Sequence, residues 1–226
     1  MTNGIRNAIE YLYKYQVDIP LDVIVHAVKA GALKSESDLT DVRARYNDAI
    51  IDAIVLYFEG GSLVAARNSF KRAATEAFGA AVDTGWEDGG ETPPLDAELL
   101  SWFNARVNEE YAHIDSLFEQ IKMLKKEPDF DYFSWATQRA DGYTSTLREI
   151  YNHAVLAAKG GQLLTWRLGN TEVHCDTCKK LDGGSHRASW YIGRDYIPGK
   201  PGAAMDCHGY NCDCKLFDKN GKLISI

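Results

Sequence analysis

Apolar residues recur every three or four positions through most of the first 165 residues, which is the spacing of one face of an α-helix. The first two runs lie on either side of Pro20. Because the residue before a proline avoids the helical region and proline suits a helix's first turn, one helix is predicted before Pro20 and another from it. The apolar positions of these two helices are Ile5, Ile9, Leu12 and Tyr13, then Val23, Ile24, Ala27 and Val28.

Four longer runs follow, and they predict helices over about residues 37–59, 63–82, 99–124 and 135–158. Paired glycines or a proline follow three of these runs and act as stop signals. The predicted fold class is therefore mainly α, with a multi-helix domain over residues 1–161.

The segment Asp83–Pro94 is predicted to be a loop or linker, because it combines glycine and proline with acidic residues. Trp86 lies inside it. An exposed tryptophan on a mobile loop is typical of an anchor at an interface, so we expect Trp86 to bind a partner. The carboxylates that would face a basic partner surface are Glu87, Asp88 and Glu91. The alternative is that Trp86 holds this segment against its own core.

The helical period is lost after Gly161. Residues 162–168 predict a strand, and residues 215–226 predict a hairpin that turns at Asn220-Gly221, the dipeptide favoured by type I′ turns. We therefore expect a small β-containing module over residues 162–226. Its predicted core consists of Trp166, Leu168, Trp190 and Tyr191.

All five cysteines lie in this predicted module, in two clusters separated by 28 residues. The first cluster is His174-Cys175-Asp176-Thr177-Cys178, and the second runs from Cys207 to Cys214. A Cys-x-x-Cys pair supplies two metal ligands from one turn, and the Gly- and Pro-rich stretch between the clusters lets the chain double back. The sequence thus predicts one structural Zn²⁺, whose coordination supplies folding free energy that the small apolar core lacks.

The preferred zinc ligands are Cys175, Cys178, Cys207 and Cys212. Cys214, His208 and His174 are alternatives, because both sulfurs of a Cys-x-Cys pair reach one metal only with strain. Disulfides are the competing interpretation. They fit less well, because the count is odd and the first residues run directly into a polar helical pattern without a secretory signal.

The net charge of −7 disfavours a general nucleic-acid-binding protein. Residues 166–226 carry nine basic and seven acidic residues, a net charge of +2, which leaves −9 for residues 1–165. No apolar run approaches the roughly 20 residues needed to cross a membrane, so no membrane contact is expected.

No catalytic motif stands out, and the chain is not predicted to be an enzyme. A zinc-dependent nuclease that uses His208 and Asn211 is one alternative, although the acidic composition opposes it. A zinc-braced cytosolic adaptor is another. His113 and His153 lie within predicted helices without ligand-spaced partners and are expected to be structural or surface histidines.

The stretch Thr165–Leu216 resembles the C-terminal module of phage head morphogenesis proteins, the Mu protein F-like minor head family. That module has a tryptophan-led strand, a Cys-x-x-Cys pair, a Leu-x-Gly turn, a Pro-Gly loop and a terminal Cys-x-Cys-x-Leu run. The corresponding segments here are Thr165-Trp166-Arg167, Cys175–Cys178, Leu181-Asp182-Gly183, Pro198–Gly202 and Cys207–Leu216. Asp213 stands where many members have a basic residue.

The resemblance implies a structural protein of a tailed-phage virion, assembled in the host cytoplasm, that acts as a minor head or head–tail connector protein. Its implied partners are portal, capsid or neck proteins, with multiple copies around a symmetric vertex. A connector works through exposed aromatic groups, so we expect Trp190 and Tyr191 to join Trp86 in binding partners. The second expected contact surface is the loop from Ser185 to Gly202.

Overall fold

The computed structural model describes residues 36–92, 94–200, 202–209 and 212–224. The two helices predicted on either side of Pro20 lie outside these residues. Most of the described residues are helical, and three short strands form one sheet near the C-terminus. The coarse prediction, mainly α with a small β-containing region at this end, is confirmed. None of the described helices combines the length and apolar character needed to cross a membrane.

In the described part of the chain, five helices precede the sheet. They are α1 (Glu36–Phe58), α2 (Leu63–Asp88), α3 (Ala97–Leu124), α4 (Tyr132–Thr144) and α5 (Thr146–Lys159). The remaining elements are β1 (Leu163–Arg167), α6 (Asp176–Leu181), β2 (Ser185–Arg187), α7 (Ala188–Gly193) and β3 (Lys215–Phe217).

The chain forms two compact units whose segments alternate along the sequence. The first unit runs to Ala80 and continues over 94–145, and the second comprises 81–93 and everything from Thr146 onward. This division differs from the predicted boundary after residue 161, because the last turns of α2 and all of α5 belong to the second unit.

Aromatic side chains from the predicted apolar stripes form the core of the first unit. The ring of Tyr46 makes edge contacts with the rings of Phe70 and Phe78, at centroid distances of 6.2 and 6.1 Å. Phe70 also contacts Phe118 at 6.4 Å and Tyr143 at 5.0 Å. Because these rings come from four helices, their burial and edge-to-face packing hold the helices together.

The predicted loop at Asp83–Pro94 is wrong over its first half, because α2 continues to Asp88. Trp86 therefore lies in a helix and is only 6% exposed. The glycines that suggested a loop instead permit close packing within the second unit. A Cβ at Gly85 would lie 2.5 Å from the carbonyl oxygen of Tyr151 in α5. Glycine is needed here for the approach of two helices and not for a turn.

The single helix predicted over about residues 135–158 is divided at Ser145 into α4 and α5. Two hydroxyl groups bond to backbone carbonyls just before the division. Thr144 Oγ1 donates to the Asp141 oxygen at 3.2 Å, and Ser145 Oγ donates to the Gly142 oxygen at 2.6 Å. Such bonds compete with the backbone ladder of a helix, which explains why the apolar period continues while the helix does not.

The sheet of the second unit has the strand order β2-β1-β3, with both neighbouring pairs antiparallel. Its inner face buries Leu164, Trp166 and Leu216 completely. Tyr191 from α7 packs on this face and donates a hydrogen bond from its hydroxyl to the Leu164 carbonyl oxygen at 3.1 Å. Trp166 and Tyr191 thus form the predicted core, whereas Leu168 and Trp190 are only half-buried.

The C-terminal hairpin is present in shortened form, with Phe217 paired antiparallel to Leu223. Gly221 has a φ of 75°, but Asn220 is not among the described residues with positive φ. A type I′ turn needs positive φ at both central positions, so that part of the prediction is wrong. The Asp218 carboxylate closes the turn instead by accepting hydrogen bonds from the N–H groups of Asn220 and Lys222.

Candidate metal centre

The first cysteine cluster is fixed at the start of α6. Cys175 occupies the N-cap position, where its Sγ accepts a hydrogen bond from the Cys178 N–H at 3.4 Å. Cys178 follows one turn later and is 2% exposed. Because a sulfur atom takes the place of the usual capping oxygen, the helix start itself holds the two sulfurs near each other.

Thr177 and Asp206 connect this cluster to the second one. The N–H and the hydroxyl of Thr177 both donate to Asp206 Oδ2, each at 2.8 Å. These bonds, from the Thr177 side chain first, hold the pKa of Asp206 below its usual value. Asp206 directly precedes Cys207, so the contact brings Cys207 to the first cluster. Sequence reasoning missed this pair, although Thr177 and Asp206 lie within and next to the cysteine clusters.

Two glycines allow backbone segments to meet around the sulfur atoms. Gly209 has a φ of 73°, and a Cβ at this position would overlap the carbonyl oxygen of Lys200. A Cβ at Gly169 would overlap the carbonyl oxygen of Asp213, which lies between Cys212 and Cys214. A larger residue at either glycine would force the facing backbone to move.

The described part of the chain contains two groups of three cysteines, each with its sulfur atoms within 4.8 Å of one another. One group is Cys175, Cys178 and Cys207, and the other is Cys178, Cys212 and Cys214. Cys178 belongs to both. Three of the preferred ligands, Cys175, Cys178 and Cys207, form one group, whereas the fourth, Cys212, joins Cys178 and Cys214 in the other. All five cysteines are free of disulfides.

The two histidine alternatives differ in position. His174 Nδ1 lies 4.0 Å from Cys214 Sγ and 3.2 Å from Thr171 Oγ1, so its ring borders the cluster. His208 is exposed and belongs to neither group of sulfur atoms in the described chain. Its φ of 48° serves the tight turn after Cys207. His174 is therefore the histidine that lies beside a cluster sulfur, although it belongs to neither group of three in the described chain.

The sulfur atoms form a chain of thiol and thiolate hydrogen bonds. Burial raises the pKa of Cys178 and Cys207. A hydrogen bond from the Cys214 side chain acts most strongly on Cys212 and lowers its pKa to about 5, while the same bond raises the pKa of Cys214. Burial opposes ionisation of Cys175 too, but hydrogen bonds from Cys178 and Cys207 outweigh it and lower the pKa of Cys175. A cation in the cluster would stabilise the thiolate form of all these groups.

The donor set has a defined chemical preference. Both groups consist of sulfur atoms alone, and soft thiolates favour Zn²⁺, Cu⁺ or iron–sulfur clusters over Mg²⁺ or Ca²⁺. Each group places three sulfur atoms, drawn from both cysteine clusters, within 4.8 Å of one another, which is the proximity that shared coordination of one metal ion needs. The cysteine cluster could therefore hold a metal ion.

The predicted partner-binding residues have different surroundings. Trp86 is buried, and its Nε1 donates to the Thr92 carbonyl oxygen at 3.2 Å, so the alternative role in its own core is the correct one. Tyr191 is fully buried and is likewise unsuited to a surface contact. Trp190 is half-buried, with the His186 ring stacked on it at 3.7 Å and the Arg194 guanidinium 4.3 Å from its ring centroid.

A buried polar group near α5 was not singled out from the sequence. Lys200 Nζ lies 2.6 Å from Asp195 Oδ1 and 3.7 Å from Glu149 Oε1, and Glu149 is buried. Burial and the charge of Lys200 lower the pKa of His153 to about 3. His153 is therefore a neutral structural histidine, as expected, and His113 is exposed. This group anchors the segment before the second cysteine cluster to α5.

Comparison of the chain with protein-family models, with curated proteins and with solved structures found no match.

Proposed function

We propose that the cysteine cluster binds one Zn²⁺ with a structural role. A structural Zn²⁺ takes four tetrahedral ligands, and the two groups of three sulfur atoms, which share Cys178, together offer more thiolates than one ion needs. The strands of the second unit are only three to five residues long, so metal binding would add folding free energy where little sheet is present. Elemental analysis of freshly purified protein should give about one equivalent of zinc.

We propose further that the protein is a structural component of a tailed-phage virion, a minor head or head–tail connector protein that acts near the portal. The observation that carries this proposal is the convergence of both cysteine segments on Cys178, in the same unit as the strand that contains Trp166. These are the segments through which the sequence resembles the minor head family. A site filled by four thiolates would leave no coordination position for a substrate, which supports a structural role for the metal.

The proposed role relies on surface contacts with portal, capsid or neck proteins. Of the three aromatic residues predicted to bind partners, only Trp190 keeps an accessible ring. Its ring lies beside Arg194, and aromatic and arginine side chains are enriched at the centres of protein interfaces. We propose Trp190 as a contact residue of the module.

Mass spectrometry of purified phage particles tests the virion role. The protein should co-purify with particles at a few copies each, and a Trp190→Ala variant should be incorporated less than wild type. An Arg72→Ala variant is the control, because Arg72 is exposed and belongs to the first unit and not to the unit that contains the module. Absence of the protein from particles would favour the adaptor alternative. Metal-dependent DNA cleavage that His208→Ala abolishes would favour the nuclease.

A further inference from the structure

The outer face of the three-stranded sheet carries basic and apolar side chains without a carboxylate. Antiparallel partners share a face, so the residues opposite the buried Leu164, Trp166 and Leu216 point outward. The basic members are Arg167, Arg187 and Lys215, with both arginines exposed. The other outward positions on the three strands are Leu163, Thr165, Ser185 and Phe217.

Apolar groups add to the binding capacity of this outer sheet face. Leu163 is 59% exposed, and Leu223, which pairs with Phe217, is 39% exposed. The Thr165 and Ser185 hydroxyls bond to each other at 2.7 Å in the same cross-strand row. Asp213, 3.7 Å from Lys215, is the acidic neighbour at one end of the face. A face that has cations in both end rows and the apolar Leu163 and Phe217 between or beside them is suited to an acidic and partly apolar protein surface.

A surface of that chemistry occurs in the first unit of the same chain, at the turn between α3 and α4. Glu127, Asp129 and Asp131 are all exposed in this turn. On its two sides, Met123 is 63% exposed and Phe133 is 60% exposed. Lys125 and Lys126 are also exposed in this segment, so its carboxylates outnumber its ammonium groups by three to two. We call the segment from Met123 to Phe133 the acidic turn.

We propose that the outer sheet face of one copy binds the acidic turn of a second copy of this chain. The two surfaces complement each other in both respects, arginine against carboxylate and leucine against methionine and phenylalanine. Arginine pairs with carboxylates through two parallel N–H groups, which fixes orientation as well as charge. The contact joins two different surfaces, so each copy keeps one of each free. Such head-to-tail association builds rings or open chains.

The first unit carries a net charge of −6 and the second a net charge of −1, so the basic outer sheet face is a local feature whose cations would repel the same face of a second copy. This charge distribution favours the head-to-tail arrangement over a contact between two outer sheet faces. It also favours a protein partner over nucleic acid, because a polyanion would meet repulsion from the rest of a chain whose net charge is −7. The proposal does not depend on a role in a virion.

Two charge-altered variants test the contact by complementation. The sheet variant is Arg167→Glu with Arg187→Glu, and the turn variant is Glu127→Lys with Asp129→Asn. Asparagine is chosen because position 129 has a φ of 65°, which asparagine tolerates. Sedimentation velocity should show association of wild type that weakens between about 0.05 M and about 1 M salt. Each variant alone should associate at least about tenfold more weakly, because like charges then face each other.

A mixture of the two variants should associate more strongly than either variant alone, because the intact sheet face of the turn variant can bind the intact acidic turn of the sheet variant. The matched control is Arg43→Glu with Arg72→Glu, which changes the net charge equally at exposed positions outside both surfaces and should associate like wild type. Wild type that stays monomeric at low salt, or a mixture that associates no more strongly than either variant alone, would overturn the proposal. So would a single-stranded oligonucleotide that binds wild type but not the sheet variant. Circular dichroism spectra show whether each variant is folded. The salt series of wild type tests the contact without any substitution.

Discussion

Thr177 donates two hydrogen bonds to one oxygen of Asp206, and this contact holds the two cysteine clusters together. Asp206→Ala removes both bonds while leaving every sulfur atom in place. We expect metal transfer to a chelator to become several-fold faster, because the segment that carries Cys207 loses its tie to α6. The rate of zinc transfer to a coloured chelator measures this. Asp48→Ala, at an exposed position in α1, is the control, and equal rates for both variants would contradict the prediction.

Cys178→Ser should lower the zinc content and the stability of the second unit more than any other single cysteine substitution, because only Cys178 belongs to both sulfur groups. Loss of metal should unfold the second unit, seen as loss of near-ultraviolet dichroism from its aromatic residues, while most helical signal remains. Four ligands complete a tetrahedral site, so one of the other four cysteines should tolerate serine with full metal content. Zinc below about half an equivalent in wild type would contradict the metal assignment.

Trp86→Ala should lower the free energy of unfolding by about 3–5 kcal/mol, the usual cost of truncating a buried tryptophan. The cause is the loss of packing at the end of α2, together with the bond to the Thr92 carbonyl. Urea unfolding measures the change, and Trp86→Phe should cost less because most of the ring volume stays. If the Trp86→Ala variant is as stable as wild type, the core role of Trp86 is contradicted and the earlier prediction of a partner contact is favoured.

His153 should make stability depend on pH below about 6.5. Burial, aided by Lys200, lowers its pKa to about 3 in the folded protein. The unfolded chain therefore binds the proton more readily, so stability is complete above the unfolded pKa and falls as the pH drops toward 3. The loss is about 1.4 kcal/mol per pH unit.

His153→Gln should remove this part of the pH dependence. Unfolding free energies at about pH 7.5 and about pH 5.5 give the comparison, and an unchanged difference between them would refute the role of His153. Metal content must be measured at both pH values, because protonation of thiolates also releases metal.

Asp83 should act in the opposite direction. Burial, followed by the charge of Glu87 one turn away, raises its pKa to about 7. The folded state then binds the proton more readily, so stability is lost as the pH rises from about 4 toward 7. Asp83→Asn should stabilise the protein by about 1–2 kcal/mol at pH 8, the full shift being reduced because the side chain is only half-buried. Melting temperatures at pH 8 and pH 4.5 test this, and equal gains at both would contradict it.

The apolar period identified helices and their buried faces well, because burial of one face is the physical cause of the period. Tyr46, Phe70 and Phe118 lie within three of the predicted helices, and all three are buried. Composition alone misled at Gly85, where glycine serves helix packing, and sequence periodicity could not reveal the bonds of Ser145 that end α4.

The spacing of the cysteines predicted that two clusters would converge, since sulfur ligands must surround one point to bind one metal. The particular contacts depend on tertiary structure. The sharing of Cys178 between two groups and the bond from Thr177 to Asp206 each join residues about 30 positions apart. The exposure of His208 arises from a local backbone turn. No local pattern encodes such long-range pairing.

The alternation of the two units along the sequence limits how this protein can exchange parts during evolution. A recombination event that transferred only residues 162–226 would carry all five cysteines to a new host protein. It would leave behind α5 and the end of α2, where Gly85 packs against Tyr151 and Tyr151 donates to Asp88 Oδ2 at 2.7 Å. The transferred piece would lack α5 and the end of α2, which are the longer helical segments of its own unit. The cysteine-rich end is therefore expected to be inherited together with its helices, and not as a detachable cassette.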